Sequence, residues 1–131
     1  MSTSERFVVP ELAKPPGYAH AIVTRGGRLV HCAGACPIDE HGVVVEGGIS
    51  TQTLQCLANL RAQLAAAGAA FTDVVQARVY VASSVRSDLV NAWRVVEETP
   101  VGAAACTLLG VALLGFEGQL VEIEVTAVVA D

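Results

Sequence analysis

At 131 residues, with 53% hydrophobic and only 16% charged side chains, the chain is long enough for one domain with a sizeable core, and needs no disulfide or metal to hold it. Its thirteen acidic and eight basic residues leave a net charge of −5. The basic residues are scattered rather than clustered, so nucleic acid is not expected as a partner. No apolar run approaches the ~20 residues that cross a bilayer, and the opening MSTSERFVV lacks the charged-then-apolar layout of a secretion signal. These features point to a cytoplasmic protein with no membrane partner.

Residues 1–131 read as a single domain, without repeat, linker or low-complexity segment. After an irregular start, His20 to Thr24 and Leu29 to Ala33 flank Arg25-Gly26-Gly27-Arg28, which predicts a hairpin. Gly42 to Val45 reads as a short further strand. Ser50 or Thr51 is placed to cap a helix whose Leu54, Leu57, Leu60 and Leu64 repeat at helical spacing, with Gly68 at its left-handed end. Val75, Ala77, Val79 and Val81 alternate with polar neighbours as in a strand with one wet face.

Ser84 or Ser87 opens a second helix, with Leu89, Trp93 and Val96 facing the core and Pro100 at its end. Asn91 and Arg94 are neighbours on another face of that helix. Cys106 to Leu113 is almost wholly apolar, as expected of a strand covered on both sides. Gln119 to Val129 alternates, with Val121, Ile123, Val125 and Ala127 on one face and Glu122, Glu124 and Thr126 on the other. Two helices cannot cover both faces of so wide a sheet, so they should pack on one face of an α+β fold, leaving the other for self-association.

The four cysteines form no disulfide framework in a chain without a secretion signal. Cys32 and Cys36 would share a strand face, but nothing nearby completes a zinc spacing, so buried reduced thiols and no metal are expected.

Several stretches carry a likeness together: Gly17-Tyr18, CAGACPID, QTLQCLANLRAQLAAAG, TDVVQARVYV, Val90-Asn91-Ala92-Trp93 and Leu120-Val121-Glu122-Ile123-Glu124. In this order they resemble the reactive-intermediate deaminase family (RidA or YjgF-like) over nearly the whole chain. The resemblance implies a chorismate-mutase-like fold with a mixed sheet of about six strands, assembled as a homotrimer with small-molecule clefts between subunits. It also implies hydrolysis of reactive 2-imino or 2-enamino acids to 2-keto acids and ammonia, without metal or organic cofactor.

Such chemistry needs a positioned water, a proton source and a guanidinium for the substrate carboxylate. Carried over by the resemblance, Tyr18 and Glu122 fall on catalytic positions, Asn91 borders the cleft, and Ala33 stands where many members have serine. Where the family reads Ala-Arg-Ser/Thr, this chain reads Ala105-Cys106-Thr107. Cys106 has neither the charge nor the planar fork to hold a carboxylate, so poor turnover of free 2-imino acids is expected. In a second reading Cys106 is itself a nucleophile or reactive thiol, which needs a nearby cation to lower its pKa; His20, His31 and Arg94 are the available groups. Thr107 is kept as a cleft residue, and Arg94, one turn beyond Asn91, as a relocated cation for an anionic ligand. The alternative is a trimeric small-ligand binder with no reaction. Ribonuclease activity, attributed to some relatives, is disfavoured by the acidic charge.

Overall fold

The computed structural model describes residues 3–131. The elements run β1 (Ser4–Phe7), β2 (Ala21–Thr24), β3 (Arg28–His31), α1 (Ile49–Ala66), β4 (Val74–Val81), α2 (Arg86–Glu97), β5 (Ala105–Gly110) and β6 (Val121–Val129), with short 3-10 turns at Phe71–Asp73 and Pro100–Ala103. The six strands fall into a two-stranded sheet, β1-β2, and a four-stranded mixed sheet ordered β3-β6-β4-β5.

β6 organises the larger sheet because it is the longest strand and pairs on both edges. β3 and β4 run antiparallel to it, and β5 runs parallel to β4. Its Val121, Ile123, Val125 and Ala127 are buried, as the alternation requires. They meet Leu57, Leu60 and Leu64 of α1, while Ala92 and Val96 of α2 join the same core beside Val79 and Val81 of β4. Both helices therefore lie on one face. The other face is half-exposed and polar, with Tyr80 opposite Glu122 and Arg78 opposite Glu124.

α1 stops where Gly68 adopts φ +78°, donating to the Ala65 carbonyl, while Ala69 donates to that of Leu64. These two hydrogen bonds satisfy carbonyls that a helix end otherwise leaves open.

Several sequence expectations need correction. The two runs around Gly26-Gly27 are strands, but they do not pair with each other: β2 pairs with β1, and β3 with β6. The irregular start holds β1, whose short alternation gave no signal. Gly42 to Val45 shrinks to a single bridge, Ile38 to Val44. α1 is capped by Gly48, with no side-chain cap from Ser50 or Thr51. Leu54 is 60% exposed, while Thr53 and Cys56 take the buried stripe.

β4 carries an irregularity between Val74 and Gln76, so Val74 rather than Val75 enters the core. α2 begins at Arg86 with no side-chain cap from Ser84 or Ser87. Ser83 instead accepts from the Val85 amide and donates to Asp88. β5 ends at Gly110 and is an edge strand with little cover, against the expectation of a strand sandwiched on both sides. Of the four thiols only Cys56 is buried; Cys32, Cys36 and Cys106 are half-buried, and all four are free.

Candidate functional site

The candidate residues separate into two regions. The first centres on Glu122 of β6. Its Oε1 accepts from Cys36 Sγ at 3.3 Å and from Gln119 Nε2 at 3.0 Å. Gly34 lies against the same carboxylate so closely that a methyl group there would overlap it, within 2.7 Å of Cδ and 2.9 Å of Cγ. Burial and the Glu122 carboxylate push the Cys36 thiol up to about 11, so it remains a proton donor through the neutral range.

α1 holds the segment that carries Gly34 and Cys36. Asn59 donates to the Cys36 and Ile38 carbonyls, both at 2.8 Å, and Gln63 donates to the Ala33 carbonyl at 3.1 Å. Gln55 donates to Asn59 Oδ1 and completes a stripe of three amides at four-residue spacing. Ala33 offers its backbone carbonyl to this stripe, and its methyl is exposed. Gln119 is buried at 4% exposure, and the Phe116 amide donates to its Oε1 at 3.1 Å.

Beside Glu122 on the sheet face, Tyr80 donates to Glu124, and Arg78 pairs with Glu124 at 3.6 Å. Donating that bond to the Glu124 carboxylate holds the Tyr80 hydroxyl above the ordinary phenol value.

The second region is a cavity of about 360 Å3 lined by Pro16, Tyr18, Trp93, Cys106, Thr107 and Leu108. Arg6 Nη2 donates to the Gly17 carbonyl at 2.7 Å, Arg6 Nε to that of Ala103 at 2.7 Å, and the Ala19 amide to that of Ala104 at 3.0 Å. These bonds place Tyr18 over the start of β5. The Tyr18 ring meets His20 and Trp93 edge-on, each at 6.2 Å. The Trp93 indole N–H is buried and has no acceptor among the described residues.

Cys106 lines this cavity and donates to the Val101 carbonyl at 3.3 Å. Burial pushes its thiol up to about 11, the Arg6 charge opposing weakly. The three proposed activators do not make it a thiolate. His20 Nδ1 accepts from the Val9 amide, His31 is exposed on β3, and Arg94 is exposed on α2.

Within one chain the structure thus brings Tyr18, Cys106 and Thr107 together, and places Glu122, Asn91 and Arg94 elsewhere. Asn91 borders a separate hollow of about 440 Å3 between the starts of the two helices, beside Asp88, Ser50 and Thr51. The two salt bridges found among the described residues, His41 to Glu40 and Arg78 to Glu124, do not involve Arg94, which pairs with neither Glu97 nor Glu98. Sequence reasoning missed Cys36, Gln119 and Trp93 as site residues, and the amide stripe of α1. The stripe was detectable as Gln55, Asn59 and Gln63 interrupting an apolar helix; the Cys36 contact joins residues too far apart to be signalled locally.

Two helices on one face of a mixed sheet, with a polar sheet face left open, define an α+β protein of the chorismate-mutase-like class. The family model for Endoribonuclease L-PSP matches residues 11–129. The chain belongs to that family, also known as YjgF/RidA. It is 31% identical over 128 residues to the mitochondrial protein mmf1 of Schizosaccharomyces pombe, covering 97% of this chain and 77% of that one. Its fold matches that of YyfB, a Rid-family protein of unknown function from Yersinia pestis, with a TM-score of 0.82, 34% identity, and coverage of 98% and 100% of the two chains. It also matches a Mycobacterium tuberculosis member of the YjgF/YER057c/UK114 family, with a TM-score of 0.65, 32% identity, and coverage of 87% and 88%.

No helix among the described residues is long and apolar enough to cross a membrane.

Proposed function

We propose that the protein works as a cytoplasmic homotrimer with a small-molecule cleft at each subunit boundary, hydrolysing an imine- or enamine-type metabolite other than a free 2-imino acid. The observation that carries this reading is the cavity under Tyr18. It keeps the aromatic wall of a ligand site, yet its anchoring position is a neutral thiol committed to a backbone carbonyl.

Self-association is supported by what one chain leaves uncovered. β5 is an unpaired edge, and Leu109, Leu113 and Phe116 are exposed at 38%, 77% and 44% beside or beyond it. Such a surface favours burial against further copies. Assembly is also what would bring Glu122 to the residues around Cys106, since the two regions are separate within one chain. In that cleft Tyr18 and Thr107 contact the ligand, Asn91 borders it, and Glu122 orients water.

A non-catalytic trimeric binder is the second reading. It is favoured by the protonated Cys106, which has no base in hydrogen-bond contact.

The test is hydrolysis of 2-iminopropionate and 2-iminobutyrate by the wild type and by Cys106→Arg, with mass measured by light scattering. A lost charged hydrogen-bond pair corresponds to ~1.5–3 kcal/mol, or roughly ten- to a hundredfold in rate. Slow wild-type turnover with partial recovery in Cys106→Arg is expected. Turnover by the wild type at the rate of arginine-containing relatives, or a monomer at micromolar concentration, rejects the reading.

A further inference from the structure

We infer that Arg6 anchors a small aliphatic carboxylate in a second hollow, separate from the Tyr18 cavity, between the two-stranded sheet and the turns at Phe71–Asp73 and Pro100–Ala103. The inference does not depend on a trimeric cleft, because one chain forms this hollow.

The hollow has a volume of about 360 Å3. The small sheet builds one wall of it. Ser4 and Arg6 are two apart in β1, so their side chains leave the same face, and Ile22 is the ladder partner of Arg6 on β2. Glu5, between them in sequence, leaves the opposite face. Val74 and Pro100 add apolar surface, and Thr72 on the first turn adds a hydroxyl. No acidic side chain among the described residues lines the hollow.

Arg6 is held in place before any ligand arrives. Its Nε donates to the Ala103 carbonyl and its Nη2 to that of Gly17, both at 2.7 Å. These acceptors are uncharged, so they fix the guanidinium without cancelling its charge. Neither ion pair among the described residues involves Arg6. Nη1 makes no hydrogen bond among them, which leaves N–H groups for a carboxylate, the partner that a guanidinium matches in shape and charge. A donor set fixed in advance avoids part of the ordering cost of binding.

The walls then choose among anions. A fully hydrated ion such as phosphate would meet the guanidinium but gain nothing from Ile22, Val74 and Pro100. A short aliphatic tail removes that surface from water while its carboxylate stays on Arg6. A cation would face an uncompensated positive charge.

The probe is butyrate, followed in 15N-labelled protein through the Arg6 Nε–H and the Thr72 amide. Butyramide, its neutral isostere, and inorganic phosphate are the controls, and circular dichroism checks folding. Butyrate should shift both signals saturably, less so at high salt, and should bind about tenfold or more tighter than either control. Arg6→Gln, read at the Thr72 amide, should lower butyrate affinity about tenfold or more, as expected for a lost charged hydrogen bond. Arg6 also ties Gly17 to Ala103, so a second variant leaves those bonds alone. Thr72→Asp puts a carboxylate into the hollow and, read at the Arg6 Nε–H, should lower butyrate affinity by a similar factor.

Equal affinity for butyramide or phosphate overturns the inference, as does unchanged butyrate affinity in folded Arg6→Gln or Thr72→Asp. A titration that moves the Tyr18 and Thr107 signals while Arg6 and Thr72 stay still also overturns it, because the acid would then sit in the Tyr18 cavity.

Discussion

The surroundings of Glu122 and of Cys106 are built on different principles. Around Glu122 nearly every polar group is assigned: two donors on one oxygen, two carbonyls on Asn59, one on Gln63. Around Cys106 the walls are rings and aliphatic groups, the thiol is turned to a backbone carbonyl, and the Trp93 N–H has no acceptor. The first region fixes direction and the second offers space. Satisfied polar networks are sensitive to the loss of any member, whereas a cavity wall tolerates change. Geometry is therefore fixed at Glu122 and loosely specified at Cys106.

The largest effect should come from Asn59→Ala. It leaves the Cys36 and Ile38 carbonyls without their donor in a half-buried setting, and a loss of about 2–3 kcal/mol is expected for two hydrogen bonds. Urea unfolding measures it. A change below about 0.5 kcal/mol would mean that the loop does not depend on α1, and the contrast between the regions would collapse.

Gly34→Ala comes next. The added methyl drives the Glu122 carboxylate off Cys36 and Gln119, and the flexible side chain moves at small cost. The melting temperature should fall by several degrees, two net hydrogen bonds being worth about 1–2 kcal/mol. Scanning calorimetry measures it, and an unchanged melting temperature would mean that the bonds from Cys36 and Gln119 to Glu122 contribute nothing.

Much of this contrast was hidden from the sequence for a physical reason. Alternation in β6 and the leucine spacing of α1 are local, and both showed the core. Leu54 broke the pattern because the buried stripe runs through Thr53 and Cys56, small residues that carry little hydropathy signal. β5 is apolar without being covered in one chain, so composition alone suggested a sandwiched strand. Tyr18, Cys106 and Thr107, singled out from the sequence, line one cavity. The Cys36 to Glu122 contact was not legible: it spans the chain, and a thiol on a carboxylate has no local motif.

On the tolerant side, Cys106→Ala removes one thiol and its bond to the Val101 carbonyl. The adjoining cavity already interrupts packing, so the cost should be about 1 kcal/mol, near the low end for buried side-chain truncation. A loss of more than about 3 kcal/mol would show that Cys106 is a core residue, not a cavity wall.

The thiols also set a pH response. Cys36 and Cys106 are both raised from 9.0 to about 11, so the folded state holds protons that the unfolded state releases first. That contribution to stability is fully present below pH 9 and is lost as pH rises through about 11. The melting temperature should decline across that window, less steeply in Cys36→Ser. At neutral pH alkylation of either thiol by iodoacetamide should be slow, since the thiolate is the reactive form. Rapid labelling of Cys106 at neutral pH would contradict the protonated thiol and revive it as a nucleophile.

The smallest effect belongs to Arg94→Ala. Arg94 lies exposed near the end of α2, a position where a cation interacts favourably with the helix dipole, and it makes no ion pair among the described residues. Removing it should change stability by no more than about 0.5 kcal/mol. Anion binding should be unchanged too, because the negative face around Glu122 and the neutral wall around Cys106 offer an acid no second point of attachment. The opposite result is specific: a loss of anion affinity of about tenfold with the trimer intact would equal ~1.4 kcal/mol, more than an exposed charge contributes through the solvent. It would place the Arg94 guanidinium inside a cleft formed only on assembly. The contrast would then be between a cationic and an anionic subsite of one ligand.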